Sequence, residues 1–243
     1  MDDLGQRVHL WTTFHSTNCP AITAGPKDPV LAHVAPISHT LRVPDRSLTI
    51  RTATPVDRDA LVDICLRTGD AGADATGLVD NGGLYGEIYA VPYLVLEPEL
   101  AVVAALDGRV CGYVLGALLT PVFESRCQAE WWPSLRDRYP LPGDGTDVDR
   151  RLIALVHTGF HTPTALTDRY PSHLHIDLLP ELQGRGVGRQ LIDELLRRLA
   201  TAGSHGVHLG VDTRNTHAIG FYEHLGFRRH ELDEGLLFTR SLP

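Results

Sequence analysis

Asp177 is a carboxylate on a stretch otherwise fit for burial, His173-Leu-His-Ile-Asp-Leu-Leu179. An acid in such a place is costly unless it is paired or put to use. Two kinds of chemistry suit it. It is either a general base that takes a proton from a nucleophile, or a structural acid held by an arginine or capping a turn. His173 and His175 share its nominal strand face and offer imidazole alternatives, although a strand bulge would shift that facing. Downstream lies Gln183-Gly-Arg-Gly-Val-Gly188, followed by Arg189. Glycines there let the chain turn tightly and bring several N–H groups to bear on one point. A helix N-terminus would add roughly half a positive charge at the same place. That is an anion site suited to a phosphate, with Arg185 and Arg189 inside it.

The elements that must position these groups are legible around them. The stretch from His173 is short and apolar and is stopped by Pro180, as a strand would be. From Val187 apolar residues recur at Leu191, Leu195 and Leu199, widened by Ile192 and Leu196, which predicts a helix with one buried face. Asp193 with Arg197, and Glu194 with Arg198, are spaced as ion pairs on its wet side. Gly206-Val-His-Leu-Gly-Val-Asp212 alternates as a strand should. Asn215 is then a good N-cap for a helix carrying Ala218, Phe221, Tyr222 and Leu225 on one face, with Gly226 placed as its terminator.

Three nucleotide readings compete for the glycine turn. A Walker loop needs Gly-Lys-Ser/Thr, which is absent. A Rossmann fingerprint has Asp212 standing where a ribose-binding acid would, but its glycines run Gly-x-Gly-x-x-Gly rather than Gly-x-Gly-x-Gly. The third reading is a coenzyme A pyrophosphate loop. Gln183-x-x-Gly-x-Gly between strand and helix resembles motif A of the GNAT acyltransferase superfamily. Asn215-x-x-Ala-x-x-Phe-Tyr-x-x-x-Gly-Phe227 resembles its motif B, in the usual order and setting. Gly69-Asp-Ala-Gly-x-Asp74, Pro92-Tyr-x-x-Leu-Glu-Pro98, Gly112-Tyr-x-Leu-Gly-Ala117, Trp131-Trp132 and the His173 strand narrow the resemblance further. They are similar to the GNAT subgroup related to the acetyltransferase-like domain of O-GlcNAcase, over about residues 48–241. Leu119 stands where relatives in that subgroup tend to carry an acid.

The resemblance implies an α/β fold of GNAT type: a central mixed, mostly antiparallel sheet flanked by helices, with two strands splayed for coenzyme A. It implies acetyl-CoA as cofactor, held by Leu178, Leu179, Gln183, Gly184, Arg185, Gly186, Val187, Gly188, Arg189, Asn215, Ala218, Phe221 and Tyr222. It further implies direct acetyl transfer to an amine, a small molecule or a protein lysine, in a ternary complex. A main-chain N–H near Leu178 would polarise the acetyl carbonyl. Tyr222 would be the general acid toward the sulfur, against the alternative of a plain core aromatic. Asp177 would be the base. The other functional class left open is an acetyl-CoA-binding pseudo-enzyme serving as a sensor or scaffold.

Composition sets the outer limits. A net charge of −8 argues against nucleic acid or a membrane surface as principal partner. Cys19, Cys65, Cys111 and Cys127 lack metal spacing. With no leader pattern and no apolar run of membrane length, they are expected as reduced thiols in the cytosol. Lys27 is the single lysine, which removes Schiff-base chemistry from the folded core. No metal is expected, since His173 with His175 lack a third ligand and His157 with His161 read as solvated. A monomer or homodimer is expected.

Residues 1–47, punctuated by prolines, read as a loosely ordered extension in which Val8–Phe14 could make a strand. The domain is expected over 48–243. It opens on a strand, then a helix N-capped by Thr54, and later a hairpin turning at Asp107-Gly108. An insertion of about 120–171 is expected on the acceptor side. Tyr85, Tyr89, Trp131, Trp132 and His175, with the acids Asp70, Asp74 and Glu124, are the candidate acceptor-binding residues for a cationic amine. Ordinary core packing is the competing reading for each aromatic.

Overall fold

Turn chemistry and alternation build the middle of the sheet. Strands β2 (Ala101–Leu106) and β3 (Arg109–Ala117) pair antiparallel through Asp107-Gly108, with φ of 52° and 81°, the backbone that a type I′ hairpin requires. Their side chains are buried almost throughout, because helices cover both faces of the sheet. This computed structural model describes residues 47–232 and 235–243, so the Val8–Phe14 strand and the extension before residue 47 lie outside the described residues.

Strand β1 (Leu48–Thr52) joins β2, and β4 (Ser172–Leu178) joins β3, both antiparallel. Strands β5 (Gly206–Val211), β6 (Arg228–Glu231) and β7 (Leu236–Ser241) complete the order β1-β2-β3-β4-β5-β7-β6. The contact between β4 and β5 is parallel, and it is paired only at Ser172–Val207 and His173–His208. Beyond His173, β4 runs on beside β3 while β5 leaves it. The sheet opens there into a wedge.

Helix α1 (Arg58–Arg67) is entered by a 3-10 turn, Pro55–Asp57, after Thr54. Asp57 accepts from the Thr54 N–H and hydroxyl and from both terminal guanidinium nitrogens of Arg51 at 2.7 Å. That bidentate bond holds its carboxyl down at about 2. Helices α2 (Gly83–Tyr89) and α3 (Val91–Leu96) lie with α1 on one face of the sheet. The region 120–171 folds as α4 (Thr120–Arg126), a π-helical turn (Cys127–Trp131), α5 (Trp132–Arg138), α6 (Asp147–Thr158) and α7 (Thr164–Thr167).

Helix α8 (Val187–Thr201) covers the other face, and α9 (Thr216–His224) links β5 to β6. At Gly116 a Cβ would stand 2.8 Å from Leu195, so the missing side chain lets α8 sit close to β3. On the outer side of α8, Arg198 pairs with Glu194 as its spacing suggests. Arg197 also turns to Glu194 rather than to Asp193.

Candidate functional site

Strand β4 sorts its residues by parity. Its register with β3 is unbroken from Gly112–Leu178 to Ala117–His173, so no bulge disturbs the facing. His173, His175 and Asp177 therefore share the face toward α1, α2 and α3, while Leu174, Ile176 and Leu178 face α8. Within this triplet the roles differ. His173 is fully buried: its Nε2 meets the Tyr93 hydroxyl at 2.7 Å and its Nδ1 meets the Thr120 hydroxyl at 2.8 Å. Thr120 donates to the Pro171 carbonyl, so it accepts from Nδ1–H, and Tyr93 donates to Nε2. Both nitrogens are committed to a neutral ring, which makes His173 a structural residue rather than a base. His175 faces the wedge, and burial, with His208 nearby, pushes it down to about 4, so it too is neutral.

Asp177 differs from both. The Tyr113 hydroxyl donates to its Oδ2 at 2.5 Å, and no arginine pairs with it among the described residues. Burial pushes its carboxyl up to about 6, against the opposing pull of Tyr113 and Thr68. The structural alternative of an arginine-bridged acid does not describe this carboxylate. It opens on a cleft of about 660 Å³, mouth included, which fills the wedge.

The glycine turn sits at the end of the same strand. Gly184 and Gly186 have φ of 69° and 75°, and a Cβ at either would meet nothing within 4 Å. The main-chain N–H groups from Gly184 to Arg189 find no acceptor among the described residues. Gln183 donates to the Leu178 carbonyl at 2.9 Å and ties the turn to the strand, while Arg185 and Arg189 stand exposed. At Gly188 a Cβ would press on Leu178 and Phe221 at 3.2 Å, so its absence lets α8 and α9 converge. Free donors, open space and two arginines at a helix N-terminus fit a pyrophosphate. Leu179 is buried and donates its N–H to Cys111 at 2.9 Å. By strand alternation the Leu178 N–H points to the opposite edge, into the wedge.

Across the wedge, the Asn215 side chain caps α9 by accepting from the Ala218 N–H at 3.0 Å. Ala218 and Tyr222 line the cleft one turn apart. The Tyr222 ring packs on Phe221, Phe227 and Phe238. Burial, with Asp177 nearby, raises its phenol well above the ordinary value, so it stays protonated.

The predicted acceptor residues scatter. Tyr89 and His175 line the cleft with Asp177. Tyr85 is buried beside Gly69, its ring 6.2 Å from that of Tyr89. Asp70 pairs with Arg214 at 2.9 Å, and Asp74 accepts from the Thr76 N–H. Glu124 is buried, holding the Thr162 N–H and hydroxyl. Trp131 donates to the Glu87 carbonyl, and Trp132 is core. No residue of 120–171 lines the cleft. The expected acceptor wall from the insertion is instead a backing layer, in which Phe160 supports Tyr89.

Sequence reasoning missed Tyr113, which holds Asp177, and Thr68 and Cys65, which line the cleft. Only the register Tyr113–Asp177, a long-range property, could have found the first. Among the described residues no helix is long and apolar enough to cross a membrane, and no three His, Cys, Asp or Glu side chains form a metal-sized group.

The profile of the acetyltransferase (GNAT) family matches residues 83–227. A crystal structure described as SsHAT is 40% identical and superposes with a TM-score of 0.73, covering 80% of this chain and 98% of that one. Protein O-GlcNAcase of Rattus norvegicus is 25% identical over 183 residues, 73% of this chain and 20% of that protein. The chain thus spans about a fifth of that curated relative's length. Mycothiol acetyltransferase of Streptomyces griseus is 38% identical over 76 residues, 31% of this chain and 25% of that protein.

Proposed function

This chain belongs to the GNAT acetyltransferase family, whose members use acetyl-CoA, and we propose that it transfers the acetyl group directly to an amine held beside Asp177. The turn Gly184–Arg189 would hold the pyrophosphate, and the wedge between β4 and β5 would admit the thioester arm. When bound, acetyl-CoA supplies the acetyl group, whose C–S bond breaks as the C–N bond to the amine forms. Asp177, poised near 6, is ionised at neutral pH and takes the proton that the amine must shed. Tyr222, kept protonated, gives its proton to the departing sulfur. The Leu178 N–H, on the wedge edge of β4, would donate to the thioester carbonyl. The observation that carries this reading is a buried carboxylate with no arginine partner among the described residues, lining one cleft with a buried phenol.

Tyr222→Phe keeps the ring packing and removes only the proton donor. Turnover, read as thiol release with a panel of primary amines, should fall by roughly 10²–10⁴-fold, while acetyl-CoA affinity by calorimetry stays within about threefold. Unchanged turnover would remove Tyr222 from the mechanism. A wild-type protein that binds acetyl-CoA tightly yet releases no thiol with any amine would instead be a pseudo-enzyme.

A further inference from the structure

The Tyr89 hydroxyl is buried and without a hydrogen-bond partner among the described residues, in a side chain only 4% exposed. Tyr89 ends α2 and stands on the wall of the cleft that Asp177 also lines. Its ring is fixed by Tyr85, Phe160 and His175, with centroids at 6.2, 6.0 and 6.3 Å. Burial raises the phenol well above its ordinary value, so it remains a neutral donor and acceptor. An unpaired buried hydroxyl lowers stability, and a neighbouring cleft is where a ligand would satisfy it.

Other segments bound the same cleft. The Asp70–Arg214 ion pair at 2.9 Å ties the loop after α1 to the turn before α9, where Gly72 abuts the Asn215 side chain. Gly69, Gly72, Asp212 and Asn215 all line the cleft, so both segments bound it together with Tyr89. A lysine would bring its ammonium on a methylene stem, with no polar atom to meet that hydroxyl. Resting on the transferase reading above, we infer that the acceptor is a small amine with a second polar group, a hydroxyl or carbonyl, a few atoms from its nitrogen. The Tyr89 hydroxyl binds that group and is the specificity-determining residue of the site.

Matched amines test this: ethanolamine against propylamine, glucosamine against cyclohexylamine, and a capped lysine amide as the third arm. Wild type should favour the polar member of at least one pair by about 10- to 100-fold in kcat/KM. Tyr89→Phe should erase that preference, through KM, and change the apolar member by less than about threefold. The variant, free of ligand, should melt no lower than wild type, because the lost hydroxyl has no partner in the fold. A preference unchanged by Tyr89→Phe, the capped lysine as the best acceptor, or a variant that melts several degrees lower would each overturn the inference while leaving the transferase standing. If no amine releases thiol from wild type, the transferase reading itself falls and this inference with it.

Discussion

Asp177 is held where ionisation is opposed, and that has a sign in stability. Its carboxyl rises from an ordinary value near 3.8 to about 6 on folding, chiefly by burial. The folded state therefore binds a proton that the unfolded chain has released between about pH 4 and 6. Stability falls as pH rises through that window, with the full cost present above it and none below. Asp177→Asn removes the charge and keeps an acceptor for the Tyr113 hydroxyl. At pH 7.5 the variant should be more stable than wild type by roughly 1–3 kcal/mol, and urea unfolding at pH 4 should show that gap closing. A variant less stable than wild type at pH 7.5 would mean the carboxylate is a structural acid after all. The same reasoning separates Asp177 from Asp57, whose carboxyl is held low at about 2 by Arg51 and belongs to the fold rather than to chemistry.

The turn before α8 shows how far spacing alone can be read. Gly184, Gly186 and Gly188 announce a tight loop, but the structure assigns them different work. Gly188 is favoured by the fold, since a side chain there would press on Leu178 and Phe221 at 3.2 Å. Gly186 is not crowded by anything in the fold and is required by its φ of 75° and by whatever binds there. Gly186→Ala should cost the free protein only about 1–2 kcal/mol, the strain of a left-handed alanine. It should nevertheless weaken acetyl-CoA by at least about tenfold, because the methyl group would enter the space proposed for the pyrophosphate. A thermal shift with acetyl-CoA equal to that of wild type would move the cofactor elsewhere. Strand β4, helices α8 and α9, the caps of α9 and the Asp107-Gly108 hairpin were all legible, because local period and turn chemistry fix them. The partners of Asp177 were not, because Tyr113 and Thr68 arrive through strand register and helix packing. Glu124, Trp131 and Trp132 looked suited to a pocket for their residue types. Thr162 and the Glu87 carbonyl, both distant in sequence, bind Glu124 and Trp131 elsewhere, and Trp132 is buried in the core.

Over the whole molecule the sheet is two half-sheets that share two paired positions, Ser172–Val207 and His173–His208. One half brings the carboxylate on β4, and the other brings the phenol on α9. The proposed chemistry falls where they part, with the glycine turn following the end of β4. The pairing between the halves is confined to one end of β4, and Gly210 and Val211 of β5 line the cleft beyond it. In the proposed mechanism the base and the acid line one cleft from the two halves, and only the base titrates near neutrality. The pH dependence of kcat/KM for the best amine, with acetyl-CoA saturating, tests it most directly. Wild type should gain activity as pH rises through about 6. Asp177→Asn should lose roughly 10²–10⁴-fold and with it that inflection, while binding acetyl-CoA as wild type does. A variant that keeps the inflection near 6, or keeps wild-type turnover, would contradict the account.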